Sequence, residues 1–202
     1  MLKGILGLAA LTSFAIAGCG DDGNNNNNVD AGGNAQPGPG AALKCDSSGK
    51  NAFDTYGAAA FVTVNKAIIA NVTAEMTAHG TTNLGDSFTK IGTGNPPSTA
   101  DNGATFEGKL AAFLVYAYGG PTSITYSDGV KYTGPQDMVA AHTGLAITSD
   151  QFDYFVANIV VPALTANGVK HGAGGAADPD DVGSCFAPVV TSAAFKASIV
   201  GK

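Results

Sequence analysis

The stretch from Tyr132 to Val169, YTGPQDMVAAHTGLAITSDQFDYFVANIVVPALTANGV, decides the fold because it pairs a short helix with a long one. Gly134 followed by Pro135 is typical of a helix start, since proline at the first helical position loses no hydrogen bond. Met138 and His142 lie four residues apart, so they share one face of the helix. The pattern predicts a short helix that ends near His142.

A longer amphipathic helix follows. Thr148, with Gln151 three residues later, forms the capping-box pattern of a helix start. Apolar residues then recur at helical spacing: Phe152, Phe155, Val156 and Ile159. We therefore expect His142 in an apolar crevice between two helices, where an imidazole is a candidate metal ligand. Spacing alone fits a surface histidine or a hydrogen-bonded core histidine as well, and these roles are more common.

Three segments, taken in order, resemble the group I truncated haemoglobins. YTGPQDMVAAHTGLAIT, from Tyr132 to Thr148, resembles the proximal segment of that family, which contains the histidine that binds haem iron. FEGKLAAFLVYAYGGP, from Phe106 to Pro121, resembles its distal helix. CFAPVV, from Cys185 to Val190, resembles its last helix. The resemblance covers roughly residues 53–200 and is interrupted by insertions.

The resemblance implies an all-α fold, a shortened globin in which two antiparallel helix pairs stack two over two, with a small inserted β-hairpin. Haem b would lie between the distal helix and His142, which would hold the iron and leave its sixth position to oxygen, nitric oxide or carbon monoxide. The expected cofactor-binding residues are His142, Phe88, Phe106, Leu110, Phe113, Met138, Leu145 and Ile147. For Phe88, a loop aromatic that packs on the core is an alternative role.

The distal side departs from the family pattern. Members that hold oxygen tightly carry a tyrosine in the first long helix and a polar residue on the distal helix. The matching positions here hold Ile69, or Ile68 if the gap falls elsewhere, together with Phe106 and Leu110. None of these side chains donates a hydrogen bond, so we expect weak oxygen binding in a pocket formed by Ile69, Phe106 and Leu110. Nitric oxide dioxygenase or redox activity is the enzymatic alternative to simple gas binding.

Two other classes of function remain open. A globin frame without haem would be a binding module, which the apolar distal face favours. A surface interaction protein would instead use its hairpin and loop insertions to contact a partner. The net charge of −6 argues against nucleic-acid binding, and the sequence does not identify an electron donor.

The first residues predict export and lipidation. Residues 1–18 have one lysine near the start and a short apolar run, typical of a signal peptide. The run ends Ile16-Ala17-Gly18-Cys19, the pattern of a bacterial lipobox, which predicts a lipid anchor on Cys19; an ordinary secretory peptide with a chance cysteine is the alternative. Residues 19–44 are rich in Gly, Asn and Pro and predict a disordered tether. We expect a globin domain over 45–202, held to a bacterial membrane and facing the periplasm or exterior.

The two remaining cysteines, Cys45 and Cys185, could pair in an oxidising compartment. Such a disulfide would join the start of the domain to its last helix. The alternative is that Cys185 is a buried thiol that fills core space.

Elsewhere the patterns predict helices over 57–76 and 104–118, a loop over 92–103 and a hairpin over 124–132 around Asp128-Gly129. Asp178-Pro179 predicts the start of the final helix, and Pro162 and Pro188 predict kinks.

Overall fold

The longest helix, α1 (Ala52–His79), lies at the centre of the fold. The computed structural model describes residues 37–93 and 103–202; the predicted signal peptide, Cys19 and most of the predicted tether lie outside these residues. The helix begins five residues before the predicted start because the side chain of Asn51 accepts a hydrogen bond from Asp54 N at 2.7 Å. Gly57, where the prediction began, has a φ of 75° and kinks the helix.

The described part of the chain is mainly helical, with one two-stranded antiparallel sheet. After α1 come α2 (Ser87–Gly92), α3 (Gly103–Ala117), β1 (Ser123–Thr125), β2 (Lys131–Thr133), α4 (Met138–His142) and α5 (Ser149–Tyr154). A π-helical segment (Phe155–Val160) leads into α6 (Val161–Ala166), and a second one (Val182–Phe186) leads into α7 (Ala187–Val190). The last helix is α8 (Ala193–Ala197).

Helix α1 packs antiparallel against α3. Phe53 N donates to Tyr118 O at one end, and Asn65 Nδ2 donates to Glu107 O at 3.0 Å further along. Along its length α1 buries an apolar stripe formed by Phe61, Val64, Ile68 and Val72. By length and composition α1 could also cross a membrane, but the core helix of a globular domain meets the same test.

On its other side α1 packs antiparallel against the α5–α6 helix. Asn71 Nδ2 donates to Ile159 O at 3.1 Å, while Lys170 N, beyond α6, donates to the Tyr56 hydroxyl near the start of α1. Thr148 and Gln151 form the predicted capping box at the start of α5.

Each predicted kink takes the form of a π-helical segment that ends two residues before a proline, Pro162 or Pro188. Proline has no N–H to donate and its ring clashes with the carbonyl four residues earlier, so a wider turn relieves the clash. The helix predicted to begin at Asp178 begins instead at Val182, because the Asp178 carboxylate accepts a hydrogen bond from Ala173 N and holds a turn there.

The hairpin forms where the sequence predicts it, with Ile124 opposite Tyr132. The Tyr132 ring lies so close to Gly108 of α3 that an added Cβ would be 2.4 Å from it. Gly134 likewise lies against the backbone of Phe113, where a Cβ would be 2.3 Å from the nitrogen. The chain therefore runs across α3 at the predicted helix start, and α4 begins only at Met138, capped by Asp137.

The described residues begin at 37, inside the predicted tether. Gly40 N donates to Ala117 O at 2.7 Å, and an added Cβ on Gly38 would lie 1.8 Å from Tyr116 O. These glycines let residues 37–44 pack directly on the end of α3. Cys45 and Cys185 then form a buried disulfide that ties this segment to the second π-helical segment.

Beside the disulfide, Asp181 is fully buried. Its carboxylate accepts hydrogen bonds from Ser47 N at 2.9 Å and from the hydroxyls of Ser47 and Tyr56. Burial by itself would raise the pKa of Asp181, but these hydrogen bonds outweigh it and lower the pKa. Burial and the bond to Asp181 raise the pKa of Tyr56 to about 12, so the phenol keeps its proton.

We expect Asp181→Asn to lower the free energy of unfolding by about 2 to 4 kcal/mol at pH 7, because hydrogen bonds to a charged acceptor are each worth about 1.5–3 kcal/mol. Since folding lowers the pKa of this group, its stabilisation is present above the unfolded value near 3.9 and is lost as the pH falls through the folded value. Denaturant unfolding at pH 7 and pH 3 measures both effects. The difference in unfolding free energy between Asp181→Asn and wild type should be smaller at pH 3 than at pH 7. As a control, Asp150→Asn, at an exposed carboxylate, should change the unfolding free energy little at either pH.

Candidate functional site

A cavity of about 280 Å³ lies between α3 and the segment that contains α4 and α5. This is close to the lower end of the range of roughly 300–1,000 Å³ for small-molecule sites. Its walls are predominantly aliphatic and aromatic. The predicted cofactor-binding residues all line it: His142, Phe88, Phe106, Leu110, Phe113, Met138, Leu145 and Ile147.

His142, the last residue of α4, is held by its own helix. Its Nδ1 lies 2.7 Å from the carbonyl oxygen of Met138, so Nδ1 carries the proton and donates it to that oxygen. Burial lowers the pKa of His142, and the bond to Met138 only partly offsets this. The ring is therefore neutral at pH 7, with a lone pair on Nε2. In the part of the chain that the structure describes, Nδ1 is the only ring atom with a hydrogen bond.

The cavity that His142 lines has an apolar wall on α3. Phe106, Leu110 and Phe113 follow one another at spacings of four and three, so they form a single stripe on that helix. The Phe113 ring stacks on Phe195 of α8, with centroids 6.2 Å apart and planes at 15°. Such contacts fix the wall in place, because an aromatic pair adds about 0.5–1.5 kcal/mol to the burial of its area.

Phe88 lies on α2, not on a loop. Its ring contacts Phe155 at a centroid distance of 5.7 Å and meets Phe106 edge-on at 6.4 Å. Phe88 thus connects the apolar stripe of α3 to the first π-helical segment.

Ile69, predicted for the distal pocket, does not line this cavity. Ile68 lines it instead, together with Phe61 and Val64 of the same helix. Successive helix residues differ by about 100° in direction, so Ile69 turns to a neighbouring groove, which shares Phe88 and Phe106 with the cavity.

Few polar groups line the cavity, and most are already bonded. The Tyr118 hydroxyl donates to Phe186 O at 3.1 Å, and burial raises the pKa of that phenol. The Ser87 hydroxyl donates to Leu145 O at 3.5 Å, and Gln151 belongs to the α5 capping box. His79 does not reach the cavity, since it pairs with Glu75 at the end of α1 at 2.9 Å.

Many of the lining residues were not predicted from the sequence, and Lys109, Phe195 and Ile199 are three of them. Lys109 precedes Leu110 on α3 and brings a cation to the cavity wall. Phe195 and Ile199, from the last part of the chain, line the side near Ile147. Lys109 could have been predicted, because it lies between the predicted residues Phe106 and Leu110. The sequence around α8 gives no indication that this helix contacts the site.

Among residues 37–93 and 103–202, no group of three or more His, Cys, Asp or Glu side chains could hold a metal ion. Among the described residues that line the cavity, His142 is the only imidazole, and none is a thiol or a carboxylate.

No protein-family model matches the chain, and no curated protein or solved structure is significantly similar to it.

Proposed function

We propose that this chain is a truncated globin that binds haem b through Nε2 of His142 and takes up a diatomic gas on the opposite side of the iron. The observation that carries the proposal is the hydrogen bond from His142 Nδ1 to Met138 O, in a neutral, half-buried ring beside an apolar cavity. Histidines that ligate metals commonly donate the second N–H to a backbone carbonyl, which sets the tautomer and ring direction.

The chemical character of the cavity lining supports a porphyrin as the ligand. The aromatic and aliphatic walls suit the faces of the ring, and Phe88 and Phe106 meet at one end. The porphyrin contributes four nitrogen ligands, which is why a single protein ligand suffices.

The packing of the helices supports the globin part of the proposal. Helix α1 lies antiparallel to α3 on one side and to the α5–α6 helix on the other. The cavity lies between α3 and the α4–α5 segment, which are the distal and proximal sides that the resemblance implies. We infer a two-over-two arrangement in which the hairpin is an insertion.

Bound haem would supply an iron that takes up oxygen, nitric oxide or carbon monoxide. The protein holds Nε2 free of a proton, and the apolar lining would place hydrocarbon around the gas. Ile68, Phe106 and Leu110 offer no hydrogen bond to a bound ligand, while Tyr118 and Ser87 already donate to backbone carbonyls. Bound oxygen carries more charge than bound carbon monoxide, so this pocket favours carbon monoxide and nitric oxide.

The distal side yields a prediction on ligand affinity. We expect Leu110→Gln to tighten oxygen binding roughly ten- to a hundredfold, because a hydrogen bond to a partly charged partner is worth about 1.5–3 kcal/mol. Carbon monoxide affinity should change much less. Flash photolysis and oxygen titration measure both, with Leu110→Met as the control of similar size that brings no donor. An equal change in the two affinities would contradict the proposed apolar pocket.

The experiment that tests the proposal is titration of residues 37–202 with haemin, followed by reduction with dithionite and addition of carbon monoxide. We expect a Soret band that saturates at one haem per chain and shifts on adding carbon monoxide. A colourless protein that remains helical would contradict haem binding. That result would favour a haem-free binding module, for which the same apolar cavity is the binding site.

The cellular place that we propose is the envelope, with the domain joined to a membrane by a lipid on Cys19. The buried disulfide supports export, because such bonds persist in oxidising compartments.

A further inference from the structure

Helix α4, which carries His142, has only five residues. A helix this short is not stable by itself, because the first hydrogen-bonded turn costs more conformational entropy than it returns. Asp137 caps its start by accepting from Ala140 N at 3.0 Å. The position of His142 must therefore depend on contacts made beyond α4.

The loop after α4 is tied to the end of the described chain. Leu145 N donates to His142 O at 3.0 Å. Ala146 N then donates to Lys202 O at 2.8 Å, and Gly201 N donates to Ile147 O at 2.9 Å. We call this pair of backbone bonds, between Ala146–Ile147 and Gly201–Lys202, the tail bridge.

The backbone of Ala146 indicates that the tail bridge carries strain. Its φ is 54°, and within 37–93 and 103–202 it is the only non-glycine residue with a positive φ. Such a conformation costs on the order of 1 kcal/mol or more and persists where neighbouring contacts hold it.

The segment that forms the other half of the tail bridge is itself firmly held. Lys196 Nζ lies 2.6 and 2.7 Å from the two carboxylate oxygens of Asp153 on α5. Phe195 stacks on Phe113, and Ile199 is buried at the cavity wall. The bridge therefore connects the loop beside His142 to α5 and to the distal helix.

We propose that the tail bridge is a positioning element for His142: it holds the 145–147 loop so that the imidazole keeps its Nδ1 on Met138 O and its Nε2 toward the cavity. The inference that the tail bridge positions a haem ligand rests on the proposed function. A ligand must be held within about 0.5 Å of its working position, and α4 has too few residues to do this alone.

The test is made on the haem-free protein, so its outcome does not depend on haem binding. Deletion of Gly201 and Lys202 removes both bonds of the tail bridge. Lys202→Ala is the matched control, because it keeps the backbone carbonyl that accepts from Ala146. Gly201→Ala is a milder variant: an added Cβ meets nothing within 4 Å, but the φ of 72° disfavours it. This variant keeps the test decisive if the deletion does not fold.

Two measurements report on the bridge. Proton–nitrogen correlation spectra show which ring nitrogen of His142 carries the proton, and amide exchange reports the bond at Ala146. We expect wild type and Lys202→Ala to hold the proton on Nδ1. The deletion should mix the two tautomers and speed exchange at Ala146 about tenfold or more, and Gly201→Ala should be intermediate. An unchanged His142 ring in the folded deletion variant, or in Gly201→Ala if the deletion unfolds, would overturn the inference.

The haemin titration separates this inference from the proposed function. Suppose that the protein does not bind haem but the deletion variant still loses the Nδ1 tautomer. That result would contradict haem binding and leave the positioning role of the tail bridge supported.

Discussion

His142→Ala is expected to abolish the Soret band of the haem-loaded protein, or to weaken haem affinity by at least about a hundredfold. Loss of an outer-shell partner alone commonly costs about 10–100-fold in metal affinity, and this substitution removes the ligand itself. The fold should survive, because the ring is half-buried and its one hydrogen bond lies within α4. Haemin titration followed at the Soret band measures the change.

The chain offers matched histidine controls for this experiment. His79 is mostly exposed and pairs with Glu75, and His171 is exposed, so His79→Ala and His171→Ala should leave the haem spectrum unchanged. Adding imidazole to His142→Gly should restore part of the band if iron binds at this position. Wild-type haem affinity in His142→Ala would place the cofactor elsewhere.

Acid should act on the same ring. Burial lowers the pKa of His142, so folding favours its neutral form. As the pH falls through this lowered pKa, the proton competes with iron for Nε2, and the charged ring is destabilised in its buried position. Haem retention should therefore fail on acidification, with wild type more sensitive than a variant whose ligand does not titrate.

Loss of the disulfide is expected to have the largest effect on stability. Cys45 and Cys185 are 140 residues apart in sequence, and closing a loop of that length is worth about 5 kcal/mol in the chain-entropy model. Cys45→Ser with Cys185→Ser should lower the free energy of unfolding by about that amount, a large share of the roughly 5–15 kcal/mol typical of a domain. Urea denaturation with and without a reducing agent measures it.

Reduction of the wild-type protein provides the control for altered packing in this double variant. Both sulfur atoms are buried, so reduction should require partial unfolding and proceed slowly in native buffer. The reduced protein and the double serine variant should then unfold at similar urea concentrations. A double variant as stable as wild type would contradict the chain-entropy account of this bond.

Local patterns were sufficient for much of the fold. The capping box at Thr148 and the hairpin around Asp128-Gly129 depend on residues within a few positions of each other, and both form as predicted. The kinks before Pro162 and Pro188 also follow from local chemistry, although the sequence did not predict that each is a π-helical segment.

What the sequence could not supply depends on contacts between distant residues. Helix α4 begins late because Gly134 packs on Phe113, and Asp181 is buried because Ser47, 134 residues earlier, donates to it. To choose between Ile68 and Ile69, one must know which face of α1 points to the cavity. The sequence resemblance is interrupted by insertions, so it does not align α1 to within one residue. Of the candidate site, the residues of the proximal and distal segments were predictable, whereas Ile199 and the tail bridge were not.

The disulfide also determines how the domain responds to mechanical load. A pull on the chain ahead of Cys45 would first shear the contact of Gly40 with Ala117 and then reach the covalent bond to Cys185. From there the force divides between the backbone that leads to α1 and the disulfide to the second π-helical segment. The covalent bond would therefore take part of such a load off the central helix and the cavity wall that it supplies.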